Sequence, residues 1–313
     1  MATTGVVSVS DGPRITVAAM IGQPMYIPTA MRDLMQGIFI SESLLRNAGA
    51  NPSGLVGFTE GDPTFLDGDV QDIAEFGEIP VSAGRMGVPR VAIATKKGLG
   101  VRISREMRDE NRVGAVNRQM IQLRNTFRRA DDRTVKSLID SAAVPTMAAS
   151  GGVWSAGAGN PILDIGNAIL EVSRAVPPAG DVASAEEWYG FEADTIVLNP
   201  GVIPALLNND KFKSIYIGNA ADRNPALTGQ LPETLFGLNV VRSMAWPTNK
   251  ALVLERGTLG FYSDTRPLEF TGVYPEGNGP NGGPRETWRS DATHKRAMGI
   301  DAPKAAMWIT GIL

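Results

Sequence analysis

The stretch from Val70 to Met107, VQDIAEFGEIPVSAGRMGVPRVAIATKKGLGVRISREM, constrains the fold of this chain more than any other. Val91, Ile93 and Thr95 alternate with Ala92 and Ala94, and Leu99, Val101 and Ile103 keep the odd phase, the period-two signature of a strand. Ser82 to Pro89 is rich in turn formers. The pattern predicts a hairpin with arms of about a dozen residues, each reaching roughly 40 Å at ~3.3 Å per residue. An isolated two-stranded ribbon is marginal in water. Such a ribbon must lie on another surface, and a second copy of the chain is the natural candidate.

The hairpin is expected to run directly into a long Arg-rich helix. Val113, Val116, Met120, Leu123, Phe127, Ala130, Thr134 and Leu138 follow three- and four-residue steps, predicting one amphipathic helix from Val113 to about Ala143, stopped by Pro145. Thirty residues at 1.5 Å rise make a rod of about 45 Å with a single apolar seam. Nine Arg lie between Arg102 and Arg133 against five acids, and Arg105, Arg108 and Arg112 are placed on one helical face. Upstream, seven acids occur from Glu60 to Glu78, and no Lys or Arg occurs between Arg46 and Arg85. A solvated acidic face is the plain interpretation of that run, since its spacing does not match a calcium-binding loop. Read together, the two charged stretches suggest contact between neighbouring copies. The candidate contacts are Glu60, Asp62, Asp67, Asp69, Asp72, Glu75 and Glu78 on the acidic side, with Arg85, Arg90, Arg105, Arg108, Arg112, Arg124, Arg128, Arg129 and Arg133 on the basic side. Such pairs register an assembly more than they stabilise it.

The first 54 residues read as an extended arm with one or two short helices, broken at Gly12-Pro13, Pro24 and Pro28 and closed by a helix C-cap at Asn47-Ala48-Gly49. Ala148 to Gly159 is a small-residue stretch with the composition of a hinge. Asn160-Pro161 is an N-cap followed by proline at the first helical position, with Ile162, Ile165, Ile169, Val172 and Val176 on the buried side. Strands are predicted at 195–198, 238–242, 251–255 and from Gly260, with a short helix opened by Asn199-Pro200. Tyr274 to Pro284 is a flexible loop, followed by strands over 288–300 and 304–312. Alternation of this kind predicts an α+β fold.

Residues that carry chemistry are scarce. The chain has 313 residues, no cysteine, one histidine (His294) and a formal charge of −3. A thiol nucleophile and a thiolate metal site are therefore excluded. No P-loop, dinucleotide fingerprint or nucleophile elbow is present, and Ser155 merely sits among glycines. Neither an enzyme, a cofactor nor a metal site is expected. The acidic balance and the lack of a helix-turn-helix or zinc pattern argue against regulatory DNA binding. No apolar run is long enough to span a bilayer, and the first residues lack the pattern of a secretory signal.

In order, these elements resemble the major capsid proteins of tailed bacteriophages with the Hong Kong 97-like fold, in particular those of actinobacterial phages. The resemblance rests on Glu75-Phe76-Gly77-Glu78-Ile79-Pro80, Thr95-Lys96-Lys97-Gly98, Ile103-Ser104-Arg105-Glu106-Met107, Ile196-Val197-Leu198-Asn199-Pro200 and Met307-Trp308-Ile309-Thr310-Gly311. It implies an N-terminal arm (1–54), an E-loop region with the hairpin (55–103), a spine helix in a peripheral domain (104–150), an α+β axial domain (151–284) and returning peripheral strands (285–313). It further implies hexamers and pentamers that tile an icosahedral shell around double-stranded DNA. The partners would be the chain itself, a separate scaffolding protein, a portal and a decoration protein, with no membrane. The implied location is the virion capsid, after assembly in the host bacterial cytoplasm. Some members of the fold weld their shells through a hairpin Lys, a neighbour's Asn and a Glu. Here Ser82 to Arg90 holds no Lys, and neither Asn nor Glu stands at Trp288 or Lys295, so no cross-linking is expected. An encapsulin-type compartment shell is the nearest alternative, and a small-molecule-binding or hydrolytic α+β protein the more distant one.

Overall fold

The computed structural model describes residues 16–313 except 64, 67, 178–186, 217–233 and 280. Three short helices open it: α1 (Val17–Gly22), α2 (Tyr26–Met35) and α3 (Ile40–Leu44). Thr16 caps α1 by accepting the Ala19 N–H at 3.1 Å. Pro28 does not break the arm, because it falls in the first turn of α2, where its missing N–H has no partner to lose. The helix break comes instead at Gly37, whose φ of +66° suits glycine. Asn47-Ala48-Gly49 is not a helix C-cap: it lies in β1 (Arg46–Ala50), paired parallel to β10. Gly12-Pro13 lies outside the described residues.

The hairpin differs from the expectation in its first arm. β2 (Leu55–Glu60) pairs antiparallel with β3 (Val88–Ile93), from Leu55 opposite Ile93 to Glu60 opposite Val88. Residues 70–81 are not a strand, since Pro80 lacks a donor and the run of acids and Gly77 has poor strand propensity. They form part of a long tip made by the described residues between 61 and 87. After Ala94 the second arm continues as β4 (Thr95–Ser104), which leaves β2 and pairs with β12. Burial changes phase along it: Ala92 and Ala94 are buried at one end, Val101 and Ile103 at the other.

Nor does the hairpin run directly into the long helix. α4 (Arg105–Asp109), capped by the Ser104 hydroxyl, ends at once, and Asn111 takes a left-handed turn with φ +51°. α5 (Val113–Ser141) then starts with Arg112 as its N-cap residue, so Arg112 does not share a face with Arg105 and Arg108. The seam follows the expected positions to Phe127. Beyond that, Asp131, Asp132, Val135 and Ile139 are buried, while Ala130, Thr134 and Leu138 are only half-buried. The shift follows the 3.6-residue period, which a pattern that discounts carboxylates cannot track.

Two sheets flank α5. The first has the order β1-β10-β12-β11, with β4 on the other side of β12. Its later strands are β10 (Gly260–Phe270), β11 (Tyr274–Pro275) and β12 (Thr287–Ile300). The second has the order β5-β13-β9-β6-β8-β7, from β5 (Thr146–Ala148), β6 (Thr195–Leu198), β7 (Thr234–Leu235), β8 (Leu238–Arg242), β9 (Lys250–Leu254) and β13 (Ala306–Thr310). The sheets are thus shared out differently from the segments read in the sequence. β10 and β11 join β12 rather than the 195–254 strands, while β5 and β13 join β9. α6 (Pro161–Ser173), α7 (Ile203–Asn208) and α8 (Asp210–Tyr216) cover the second sheet, and Asn160 caps α6 as its sequence predicts. Val113 to Phe127 of α5 pack with Val101, Ile103 and Trp288 of the first sheet. Val135 and Ile139 pack with Leu252, Leu254 and Trp308 of the second. One helix therefore anchors both bodies.

The small-residue stretch 148–159 is not free to act as a hinge. Trp154 is fully buried in it, and its indole N–H donates to Asp164 Oδ2 at 2.7 Å. Asn209 donates to the carbonyls of Trp154 and Gly159, and the Trp154 N–H donates to Ile312.

Candidate assembly interface

The hairpin ribbon has two unlike faces. Val56, Phe58, Ala92 and Ala94 pack inward on Phe261 and Ala297, with the Phe58 and Phe261 rings edge to face at 5.2 Å. Leu55, Val91 and Ile93 point the other way and are 55%, 65% and 68% exposed. Beyond them the tip carries Val70, Phe76, Ile79, Val81 and Met86, of which Phe76 is 99% exposed and Val81 97%. Phe76 also has φ +67°, an unfavourable backbone for an aromatic residue, in a turn closed by Gly77 N–H to Ala74 O at 2.8 Å. Single exposed apolar residues are ordinary, but a cluster on one projecting element marks an interaction surface. Covering each such side chain fully is worth about 1.5–3 kcal/mol.

The acidic row is only partly available to a neighbour. Glu60 pairs with Arg90 at 2.8 Å across the hairpin. Asp62 accepts from the Thr59 hydroxyl and the Gly87 N–H, which hold its carboxyl below the usual range. Gly87 is required there, because a Cβ would meet Glu60 O at 2.3 Å. Asp69 accepts from the N–H of Val70. Asp72, Glu75 and Glu78 make no hydrogen bond or ion pair with a described residue, and Asp67 lies outside the described residues. The free acids are thus those nearest the exposed apolar tip.

The basic row divides in the same way. Arg105 pairs with Glu286 at 2.6 Å and Asp109 at 3.4 Å, Arg108 with Asp109 at 2.9 Å, and Arg112 with Glu110. Arg108 also lies 5.0 Å over the Trp288 ring. Arg85 has a partner of its own. Arg128, Arg129 and Arg133 are exposed on α5 and pair with no described carboxylate, and Arg124 Nε is buried without a partner. Among the fifteen described candidates, Asp72, Glu75, Glu78, Arg129 and Arg133 therefore remain as exposed charge with no described partner, while Arg128 faces the buried Asp132 through space.

A buried polar cluster at the hairpin root is the feature that sequence reasoning missed. Asp131 of α5 accepts from the Ser41 N–H at 3.0 Å and the Ser41 hydroxyl at 2.9 Å. Arg296 of β12 donates to Ser41 Oγ at 2.8 Å, to Asp264 at 2.6 and 3.0 Å and to Glu42 at 2.8 Å. Its guanidinium also lies 4.5 Å from the Tyr262 ring. Lys97 of β4 donates to Ala130 O at 3.2 Å and bonds Thr134, which ties the hairpin base to α5. His294 sits between Phe39 and Phe127, at 5.7 and 5.9 Å. Burial first, then Arg296 and Lys97, push its pKa down to about 4, so the imidazole is neutral at pH 7. Burial also raises the Asp131 and Asp132 carboxyls, against the hydrogen bonds and cations that face them. The only sequence signals for this cluster were two adjacent acids in a helical seam and the lone histidine in a strand.

A cavity of about 430 Å³ lies between the distal end of the hairpin and Tyr189 and Phe191, whose rings stack at 4.9 Å. Tyr189 donates to Asp62 O at 3.1 Å. Among the described residues no group of His, Asp or Glu converges to hold a metal ion, and no helix is long and apolar enough to cross a membrane.

A family model described as phage capsid protein matches residues 87–308. No curated relative matches the chain in sequence. A structure from Gordonia phage Cozz aligns with TM-score 0.58 at 13% identity, over 87% of this chain and 85% of that one. A structure from Mycobacterium phage Bobi aligns at 0.56 and 12% identity, over 86% and 88%. A virus-like particle from Pyrococcus furiosus aligns at 0.56 and 13% identity, over 90% and 97%. At these identities the likeness is one of fold, and it is the α+β Hong Kong 97-like fold.

Proposed function

The chain belongs to the phage capsid protein family, and from that premise we propose that it is the major shell protein of a tailed phage, forming hexamers and pentamers that close an icosahedral shell around DNA. The hairpin carries this reading. Its outer face and tip expose Leu55, Val91, Ile93, Phe76 and Val81 to solvent in the single chain. In the assembly that surface lies on a neighbouring copy, and the free acids Asp72, Glu75 and Glu78 meet cations of that copy. A contact from one element of each copy to a different surface of the next is heterologous, and such contacts close into rings. The role is structural rather than catalytic. A separate scaffolding protein and a portal complete the shell in the host cytoplasm, and a decoration protein is a further partner.

The test is to concentrate the purified chain, with and without the scaffolding protein, and to image it by negative-stain electron microscopy. Polyhedral shells, capsomers or regular tubes are expected. A uniform monomer or dimer under every condition would refute the reading. Shells that hold a protein cargo instead of DNA would favour a compartment of the encapsulin kind.

A further inference from the structure

We infer that the free edge of β4 accepts a strand from a second copy of the chain, supplied by residues 78–82 of its hairpin tip. This names the seat that the shell reading above requires, and it rests on that reading. β4 pairs with β12 without a register shift, from Ser104 opposite Thr287 to Thr95 opposite Arg296. The carbonyls of Asp291 and Thr287 accept from the N–H groups of Thr271 and Glu276, so these two residues of β12 point away from β4. In an antiparallel ladder the residues opposite them then point outward as well. Gly100 is opposite Asp291, and by alternation Lys96, Gly98 and Arg102 share its direction. Their N–H and C=O groups have no hydrogen-bond partner among the described residues. Little blunts this edge: it has no proline and no bulge, Lys97 is turned onto α5, and Arg102 is drawn to Glu276. Beside it runs a hollow of about 310 Å³ lined by Leu99, Gln119, Gln122, Leu123 and Thr126.

The occupant follows from unmet backbone groups, reach and charge. Residues 78–82 lie in no helix or strand, and their backbone makes no hydrogen bond with a described residue. Ile79 and Val81 alternate with Glu78 and Pro80 and are 74% and 97% exposed. Pro80 has no N–H, so Ile79 and Val81 turn toward β4 and Pro80 faces away, where a strand edge tolerates it. The segment cannot come from the same copy. Val81 is seven residues from the ribbon end at Val88, a reach of ~25 Å, while Gly100 lies twelve residues down the other arm, ~40 Å away. Pairing β4 with β4 of the second copy is disfavoured, because Lys96 and Arg102 would meet like charge. The tip instead brings the free acids Glu75 and Glu78 toward Lys96, which is exposed and pairs with no described carboxylate. In strand addition of this kind the backbone bonds give affinity and the alternating side chains set the register.

The chain has no cysteine, so introduced pairs report on a clean background. Ile79→Cys, Pro80→Cys and Val81→Cys are each combined with Leu99→Cys to sample successive registers, and the concentrated chain is oxidised. Facing residues on paired strands lie within disulfide range. At least one combination should give a ladder of covalent oligomers on a non-reducing gel that collapses on reduction. Val81→Cys with Met244→Cys, which is exposed at the turn after β8, should give none. A second set of variants separates backbone pairing from side-chain contact. Ile79→Pro with Val81→Pro removes two donors and should raise the concentration needed for assembly by roughly tenfold or more, whereas Ile79→Thr with Val81→Thr keeps the donors and should recover most of it. Both side chains are in solvent in the single chain, so thermal unfolding should not distinguish these variants from the parent. No ladder in any combination, an equal ladder in the control, or proline variants that assemble like the parent would each overturn the edge. Shells formed by those same variants would leave the shell reading intact. A ladder from a chain that makes only small oligomers supports the edge and removes the shell reading.

Discussion

Replacing His294 by Leu should remove a pH dependence of stability that the parent carries between pH 6.5 and 4. The imidazole is buried between Phe39 and Phe127 and cationic neighbours press on it, lowering its pKa from 6.5 to about 4. Between these values the unfolded chain binds the extra proton and the folded chain does not, so stability is full above pH 6.5 and falls as pH drops toward 4. At pH 4.5 the folded state must keep the ring neutral at a cost of about 2.5 kcal/mol, against almost nothing at pH 7. The charged groups facing the ring are Arg296, Lys97 and Asp264, with Asp131 close behind. Asp131 and Asp132 titrate the other way: with raised pKa values they relieve the folded state as pH falls. They are present in both proteins, and the difference between parent and variant cancels them. Urea unfolding of the dispersed chain at pH 7 and 4.5 gives that difference. With a slope of about 3 kcal/mol/M, the parent midpoint should fall by roughly 0.8 M more than that of His294→Leu. A differential below about 0.5 kcal/mol would show that the ring reaches water or an acceptor, and the account of the hairpin root would be wrong.

Arg296→Met should destabilise the chain by about 3 kcal/mol, because Asp264 and Glu42 lose their cation while both stay partly buried. At ~2.1 cal/mol/K per residue that is a fall in Tm of about 5 °C by calorimetry. Trp154→Ala should cost about 3–5 kcal/mol in urea unfolding, since it opens a cavity and strands Asp164. Phe76→Asp with Val81→Asp should leave Tm within about 2 °C, as both side chains are in solvent, yet abolish capsomers by light scattering. Boiling shells in detergent should yield a single 33.3 kDa band, because Lys97 is engaged with α5 and the segment 82–90 has no Lys. A ladder of covalent oligomers would contradict that expectation.

Where local periodicity matched burial, the fold was legible in advance: α5 to Phe127, the Asn160-Pro161 cap, and the strands 195–198 and 238–242. The first arm of the hairpin was not, because alternation on the second arm says nothing about which segment it pairs with. Leu55–Glu60 won that pairing over Val70–Val81 through Phe58, which packs on Phe261 far along the chain. Trp154 was passed over among glycines, though its burial is what fixes that stretch. The charged rows were visible as composition, but which members face solvent depends on acids distant in sequence, such as Glu276 and Glu286. The polar cluster at the hairpin root needed four elements to meet, and no single window of sequence contains them.

The strand order has a consequence for timing during synthesis. β12 lies inside the first sheet, where β4 and β11 have no other strand partner among the described residues and β10 keeps only β1. β13 sits inside the second, where it alone pairs with β5 and also holds β9. β12 and β13 follow every other described strand in chain order. Neither sheet can close before residues 287–310 emerge, however long the earlier chain has been in solution. A chain truncated before Thr287 therefore lacks the strand that seats β4 and cannot position the root of its hairpin.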